Sequence, residues 1–236
     1  MAYRIKDIQT EDLRRLLASM RNIADNSFVV AEGTNTKTIK TTTNTPKFYI
    51  EGQQYTKSPT DNIAMTACVS QPASMRCRYL VSIDSGGTVT ITKGTQVRAY
   101  TYTAATLTMV AAEKKITDSA GGLSAFKVGD WIAISGFTDV RNNQLCVRVV
   151  GIDDIAGTWI KFGGGYPVDE ALGDTVTLTV ESPLPTLPAK ECPMAILRIT
   201  TGATAFTVGT HDLTDDIGTG SSGFTQIPYG VPSEIW

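Results

Sequence analysis

Thirty-four of the chain's 236 residues are threonine. Thr is β-branched, so it is stiff at χ1 and favours strands, and its hydroxyl gives a polar face that still packs. In Thr88-Val89-Thr90-Ile91-Thr92 it alternates with apolar residues, the period of a strand with one face buried. A chain built this way leans towards an all-β fold. Charged residues make up only 19% of it, below the quarter usual for globular domains.

The same arithmetic excludes several functions. A net charge of −2 argues against a nucleic-acid-binding body, which needs a basic stripe to displace counterions. No apolar run approaches the roughly 18 residues of a spanning helix, so no membrane partner is expected. Residues 1–7 lack the apolar core of a signal peptide. A single histidine, His211, rules out any site that needs two imidazoles. Cys68, Cys77, Cys146 and Cys192 form no C-x-x-C pair, so a zinc site is not expected. They suit buried core thiols in a reducing cytosol, with a Cys68–Cys77 bridge left open beside that reading.

The first element is a predicted helix within residues 1–25. Thr10 is its N-cap, and Glu11 and Asp12 fall in the first turn. Leu13, Leu16, Leu17, Met20 and Ile23 recur at helical spacing and make one apolar stripe. A helix of about 15 residues is marginal alone, so the stripe must bury against its own domain or a partner. The stretch 32–46 follows, Thr-rich with little to bury, and reads as an extended arm, an edge strand or a linker. An arm pairing with a neighbour's sheet edge is satisfied only in an assembly. Thr36, Thr38, Ile39 and Thr41 of the arm and the five residues of the stripe are therefore the candidate assembly interface.

Short strands follow. Lys47–Ile50 leads through a turn at 51–54 to Tyr55-Thr56. Arg78–Ile83 and Thr88–Thr92 form a hairpin around Asp84-Ser85-Gly86-Gly87. From about Ala105 the texture changes, with strands expected at Leu107–Val110, Asp130–Ser135, Leu145–Ile152, Thr158–Phe162 and Thr175–Val180. Glycine-rich turns between them suggest a small barrel or sandwich, with Trp131, Trp159, Phe126 and Phe162 as its bulky core. Residues 183–193 carry four of the ten prolines and read as a stiff connection. A second hairpin is expected from Met194–Thr200 and Thr204–Val208. The fold class expected is thus mainly β. A short N-terminal helix precedes a sandwich-like or barrel-like domain (26–104 plus 183–236), and a second small β-domain (105–182) is inserted in it.

No catalytic set rises above chance. Gly218–Gly223 lacks the Gly-Lys-Ser/Thr ending of a phosphate loop. Asp153-Asp154 and Asp212 with Asp215-Asp216 are carboxylate pairs, but adjacent acids in turns usually face water. Asp212–Asp216 has the oxygen donors of a Ca²⁺ loop, yet no metal ligand set and no cofactor are assigned. Tyr100 and Tyr102 near Arg98 are the faint candidate for base stacking, and read more easily as one face of a Thr/Tyr strand.

Two groups of residues resemble known families. The first comprises Tyr55-Thr56-Lys57, Asp61–Thr66, Arg78–Asp84, Thr88–Gly94, Leu184–Ala189, Cys192–Ala195 and Phe206–Leu213. Together these resemble head-decoration (cement) or head-fibre proteins of tailed bacteriophages. The second comprises Ile116-Thr117-Asp118, Phe126, Gly129–Ile132, Ser135-Gly136-Phe137, Asn142-Asn143 and Val147–Ile152. It is similar to a phage tail-tube-like module. The resemblance implies a non-enzymatic virion protein on the capsid exterior, assembled in the host bacterial cytoplasm. Its partners would be the major capsid protein and copies of itself, as a homotrimer or another symmetric oligomer, with no cofactor. A tail or neck component and a host-glycan-binding attachment module are the alternative expectations.

Overall fold

Alternating apolar and polar residues become strands along the whole described chain. The computed structural model describes residues 23–24, 30–41, 45–65, 70–143, 146–183, 185–211, 213 and 222–226. In chain order the strands are β1 (Ile23–Ala24), β2 (Val30–Glu32), β3 (Ile39–Thr41), β4 (Lys47–Ile50), β5 (Gln53–Thr56), β6 (Met75–Asp84), β7 (Val89–Lys93), β8 (Val97–Arg98) and β9 (Thr101–Ala104). They continue as β10 (Leu107–Val110), β11 (Lys115–Asp118), β12 (Trp131–Ser135), β13 (Val147–Ile152), β14 (Trp159–Gly163), β15 (Val176–Val180), β16 (Glu191–Thr200) and β17 (Ser222–Gln226). The fold is mainly β. Ala111–Glu113, Leu123–Ala125 and Val140–Asn142 are short 3₁₀ turns. Among the described residues no helix is long and apolar enough to cross a membrane.

The predicted N-terminal helix lies outside the described residues except at its end. There the structure differs: Ile23 and Ala24 are strand, paired antiparallel with Tyr49 and Phe48. Backbone groups bonded to a neighbouring strand are lost to a helical i→i−4 ladder.

The chain divides into two compact units. One contains Met1–Ala73, Cys77–Gln96 and Leu184–Trp236; the other contains Ser74–Arg76 and Val97–Pro183. The second begins earlier than residue 105, because β9 pairs along its whole length with β15 (Thr101↔Thr179 to Ala104↔Val176).

The first unit is sandwich-like: sheets β1-β4-β5, β2-β3 and β17-β16-β6-β7 contribute to it. Ile39, Phe48 and Ile50 meet Cys77, Tyr79, Val81, Ile83, Met194 and Leu197 in one core. Strands β6 and β16 are ten residues each and buried on nearly every side chain. Burial covers both faces of each strand, polar residues included: Arg76 and Ser82 of β6 and Thr200 of β16 are buried with their apolar neighbours. Leu80 and Ile196 face away from the main core, and Leu187 of the proline-rich connection packs on them. The hairpin expected at 78–92 forms, in register from Tyr79↔Lys93 to Ile83↔Val89. The turn between β4 and β5 is Glu51-Gly52, with φ of 51° and 79°, the positive values a two-residue hairpin requires. The second expected hairpin is not built. Strand β16 pairs instead with β17 (Ala195↔Gln226 to Ile199↔Ser222), and Phe206 turns aside to bridge Gln71.

The second unit is one seven-stranded sheet, in the order β10-β11-β14-β13-β12-β15-β9. Its two edge strands, β9 and β10, are consecutive in the chain and joined by Ala105-Thr106 alone. A sheet whose edges are tied by two residues must curl on itself, as in a small barrel. Inward residues alternate strictly: Leu107 and Met109, Ile132 and Ile134, Val147 and Val149, Ile160 and Phe162, Val176, Leu178 and Val180. Five of these strands stand where the sequence places them; β9 and β11 complete the sheet.

A buried carboxylate ties this sheet to its turns. Asp118 accepts from Tyr102 Oη and Thr106 Oγ1, each at 2.6 Å, from Gly122 N at 2.8 Å and from Ala120 N at 2.9 Å. Burial alone pushes its carboxyl up, but the bonds from Thr106, Tyr102, Ala120 and Gly122 outweigh it, and the net shift is down. Burial, then the bond to Asp118, pushes the Tyr102 hydroxyl up to about 12. Gly122 leaves room for that hydroxyl: a Cβ there would lie 2.1 Å from Tyr102 Oη.

This clasp makes stability sensitive to a methyl group and to pH. Gly122→Ala displaces the Tyr102 ring and costs about 1–3 kcal/mol in denaturant unfolding. The pH dependence has two limbs. Stability conferred by the depressed Asp118 is present above the unfolded carboxylate value near 3.8 and is lost as pH falls through the lower folded value. Stability conferred by neutral Tyr102 is present below 10 and lost as pH rises towards about 12. Asp118→Asn should be less stable at pH 7 and show a flatter acid limb in thermal melts.

Candidate functional site

The candidate residues from the sequence separate into three groups. Leu13, Leu16, Leu17 and Met20 lie outside the described residues, and Ile23 lies in β1. The arm is not an extended free segment. Thr34 and Asn35 are pinned to Asp61 and Asn62: Thr34 N donates to Asp61 Oδ1 at 3.0 Å, and Thr34 Oγ1 donates to Asp61 Oδ2. Asn35 N donates to Asn62 Oδ1 at 2.8 Å. The hydroxyl bond from Thr34 holds the Asp61 carboxyl below its usual value. Ile39 exchanges backbone bonds with Ile63 at 3.1 and 2.8 Å, and Thr41 does the same with Thr60 through both backbone and hydroxyl.

This corrects the assembly interface on the arm. Ile39 is fully buried in the core of its own unit and Thr41 nearly so, so neither is available to a partner. Their alternation with Thr38 and Lys40 is that of a strand with one face already covered. Thr36 stays exposed and Thr38 half-buried. Thr38 joins Asn35, Lys37, Ala64, Met65, Val208 and Gly209 around an open, mainly apolar pocket of about 250 Å³. If Asp61 fastens this turn, Asp61→Ala should speed amide exchange at Thr34 and Asn35 and leave the amides of β12–β15 unchanged, as read by hydrogen–deuterium exchange.

The chemical candidates are occupied with structure. His211 Nδ1 accepts from Thr207 N at 2.8 Å and closes a turn. Asp153 caps the β13–β14 turn, accepting from Thr158 Oγ1 at 2.5 Å and from the amides of Ile155, Ala156 and Thr158. Asp212, Asp215 and Asp216 lie outside the described residues, and the Ca²⁺ reading lies there with them. Cys77 and Cys192 are buried and Cys146 is half-buried; Cys68 lies outside the described residues, and the Cys68–Cys77 bridge lies there with it. Burial pushes the Cys192 thiol up to about 12. Tyr100 packs edge-on against Phe126 at 5.1 Å and Tyr102 binds Asp118, so these rings form no exposed stacking platform.

The exposed chemistry lies elsewhere. Among the described residues, all the large exposed apolar side chains belong to the second unit: Val128, Trp131, Val140, Val150, Ile155, Tyr166 and Leu172. Phe126 and Phe162 fill the core as expected, but Trp131 and Trp159 do not. Trp131 is 36% exposed and Trp159 is half-buried on the outer face of β14. On that outer face Trp131 stands opposite Arg148, and Arg148 opposite Gly163. Val150, 55% exposed, sits at the β-bulge of β13. Val128, 61% exposed, precedes the glycine whose N–H bonds Val149 O at 2.8 Å. Further along, Lys161 faces Lys115 across the strands, and Glu113 reaches both at 3.1 Å.

Sequence reading misses this surface although its signal is present. In Trp131-Ile132-Ala133-Ile134 the two isoleucines claim the core, which sends Trp131 outward. In Trp159-Ile160-Lys161-Phe162 the tryptophan shares its face with a lysine.

No protein-family model matches the chain. No curated protein and no solved structure matches it significantly.

Proposed function

We propose that the chain is a non-enzymatic structural protein of a bacteriophage virion, of the head-decoration type, that binds the capsid shell and bridges capsomers. One observation carries the assembly part of this reading: large apolar side chains are exposed on a small unit that already buries an apolar core of its own. Single exposed apolar residues are ordinary, whereas several on adjacent strands mark a docking surface. Val128, Trp131 and Val150 meet that description on β12, β13 and their approach. Trp and Arg, neighbours here, are the residues that most often dominate binding energy at interfaces. The virion part of the reading rests on the sequence resemblance.

Cryo-EM and quantitative mass spectrometry of purified particles test it. Hundreds of copies spread over the shell are expected. A handful to dozens of copies at one vertex or along the tail would place the chain in the neck or tail. Absence from particles would end the virion reading.

A further inference from the structure

The second unit carries two exposed apolar surfaces of opposite charge. The first is the outer face of β12–β13–β14 just described. Val128, Trp131 and Val150 supply its apolar area, and Arg148, Lys115 and Lys161 supply three cations against the single carboxylate of Glu113. Both lysines are engaged by Glu113, while Arg148 is exposed at the register position opposite Trp131 and forms no ion pair among the described residues.

The second surface is made by the loops 137–143 and 168–174. Val140, 79% exposed, and Leu172, 59% exposed, project from it. Around them stand Asp139, Asp169, Glu170 and Asp174, with Arg141 as the one cation of these loops. The loops are held together internally. Glu170 accepts from Thr138 N at 2.8 Å and Asn142 Nδ2 at 2.7 Å, and Asp174 accepts from Thr138 Oγ1 at 2.8 Å. Their carboxylates are thus fixed in place but lack cationic partners among the described residues, apart from Asp139, which pairs with Arg141 at 2.8 Å.

Strand β12 separates the two surfaces. Trp131 begins it, and the first acidic loop follows Ser135 at its end, about 13 Å away at strand rise. They are distinct patches, each apolar at its centre, one with excess positive and one with excess negative charge.

We infer that the second unit associates with a second copy of this chain, the Trp131–Arg148–Val150 face of one copy seating the Val140/Leu172 loops of the other. The inference deepens the structural role proposed above by naming a self-contact. Opposite charge steers such a pair and fixes its orientation, while the apolar centres supply the area removed from water. The contact joins unlike patches, so it gives a two-fold pair making it twice, a ring where the rotation closes, or an open row where it does not. Each patch is small beside a standard interface, so the single contact is weak and gains strength from repetition in an assembly.

Sedimentation velocity over a concentration series tests this on the full chain. Self-association is expected at low salt and is expected to weaken as salt screens the pair. Arg148→Glu should raise the apparent dissociation constant about tenfold or more, with an unchanged melting temperature because Arg148 lies on the surface. A benzoyl-phenylalanine photo-crosslinker at Val150, in a mixture of isotopically light and heavy chains, should join peptides containing Val140 or Leu172 of another copy. A chain that stays monomeric at every concentration overturns the inference, as does a crosslink from Val150 to the same face of the other copy. Neither result touches the particle measurement, so failure of the self-contact and failure of the virion reading are told apart.

Discussion

The second unit depends on one constraint: every strand must give one face to a shared core. Once Ile132, Ile134, Val147, Val149, Ile160 and Phe162 fill that core, the residues between them have no choice but to face out. Trp131, Arg148, Val150 and Lys161 are therefore neighbours because their flanking residues are apolar, not because of any local attraction. A one-residue slip in register would exchange the two sets and expose the core, so the exposed face is as firmly specified as the packed one.

Threonine makes the remaining outer surface workable. On β9 and β15, Thr103 and Thr177 stand with hydroxyls 3.0 Å apart, and Thr101 and Thr179 with theirs 3.5 Å apart. Such cross-strand pairs stabilise a sheet while presenting water with hydroxyls. In the first unit Thr34, Thr38 and Thr41 do different work, bonding with Asp61, Asn62 and Thr60 to hold a polar segment against its own domain. The abundance of one residue type thus serves two ends, a covered sheet face and a stitched loop.

Much of this is legible from residue order. Period-two alternation locates β10, β12, β13, β14 and β15 within a residue or two, and the Asp84–Gly87 turn locates the hairpin of β6 and β7. The Glu51-Gly52 turn is visible as a glycine between two strands. What is illegible depends on distant partners. Ile39 and Thr41 belong to a stretch with little to bury locally, and only the segment Thr60–Ile63, some twenty residues on, gives them a place. Strand β9 belongs to the second unit because β15 receives it, which no local pattern states. Strand β16 finds its antiparallel partner in β17 rather than in the nearer Thr204–Val208 stretch. The outward tryptophans are hidden for another reason: ring size suggests core, and the phase of the flanking isoleucines decides otherwise.

The pairing of β6 with β16 in the order β17-β16-β6-β7 has a bearing on how the chain comes into being. On the ribosome β6 emerges about a hundred residues before β16, and every strand of the seven-stranded sheet emerges between them. Every pairing of that sheet lies within residues 101–180 and can close as soon as β15 is free, whereas the central ladder of the first unit must wait for residues 191–200. Synthesis therefore finishes the intervening unit first, and its host sheet is the last to be sealed. Until then β6, which the finished fold covers on both faces, is a stretch of nascent chain in need of protection.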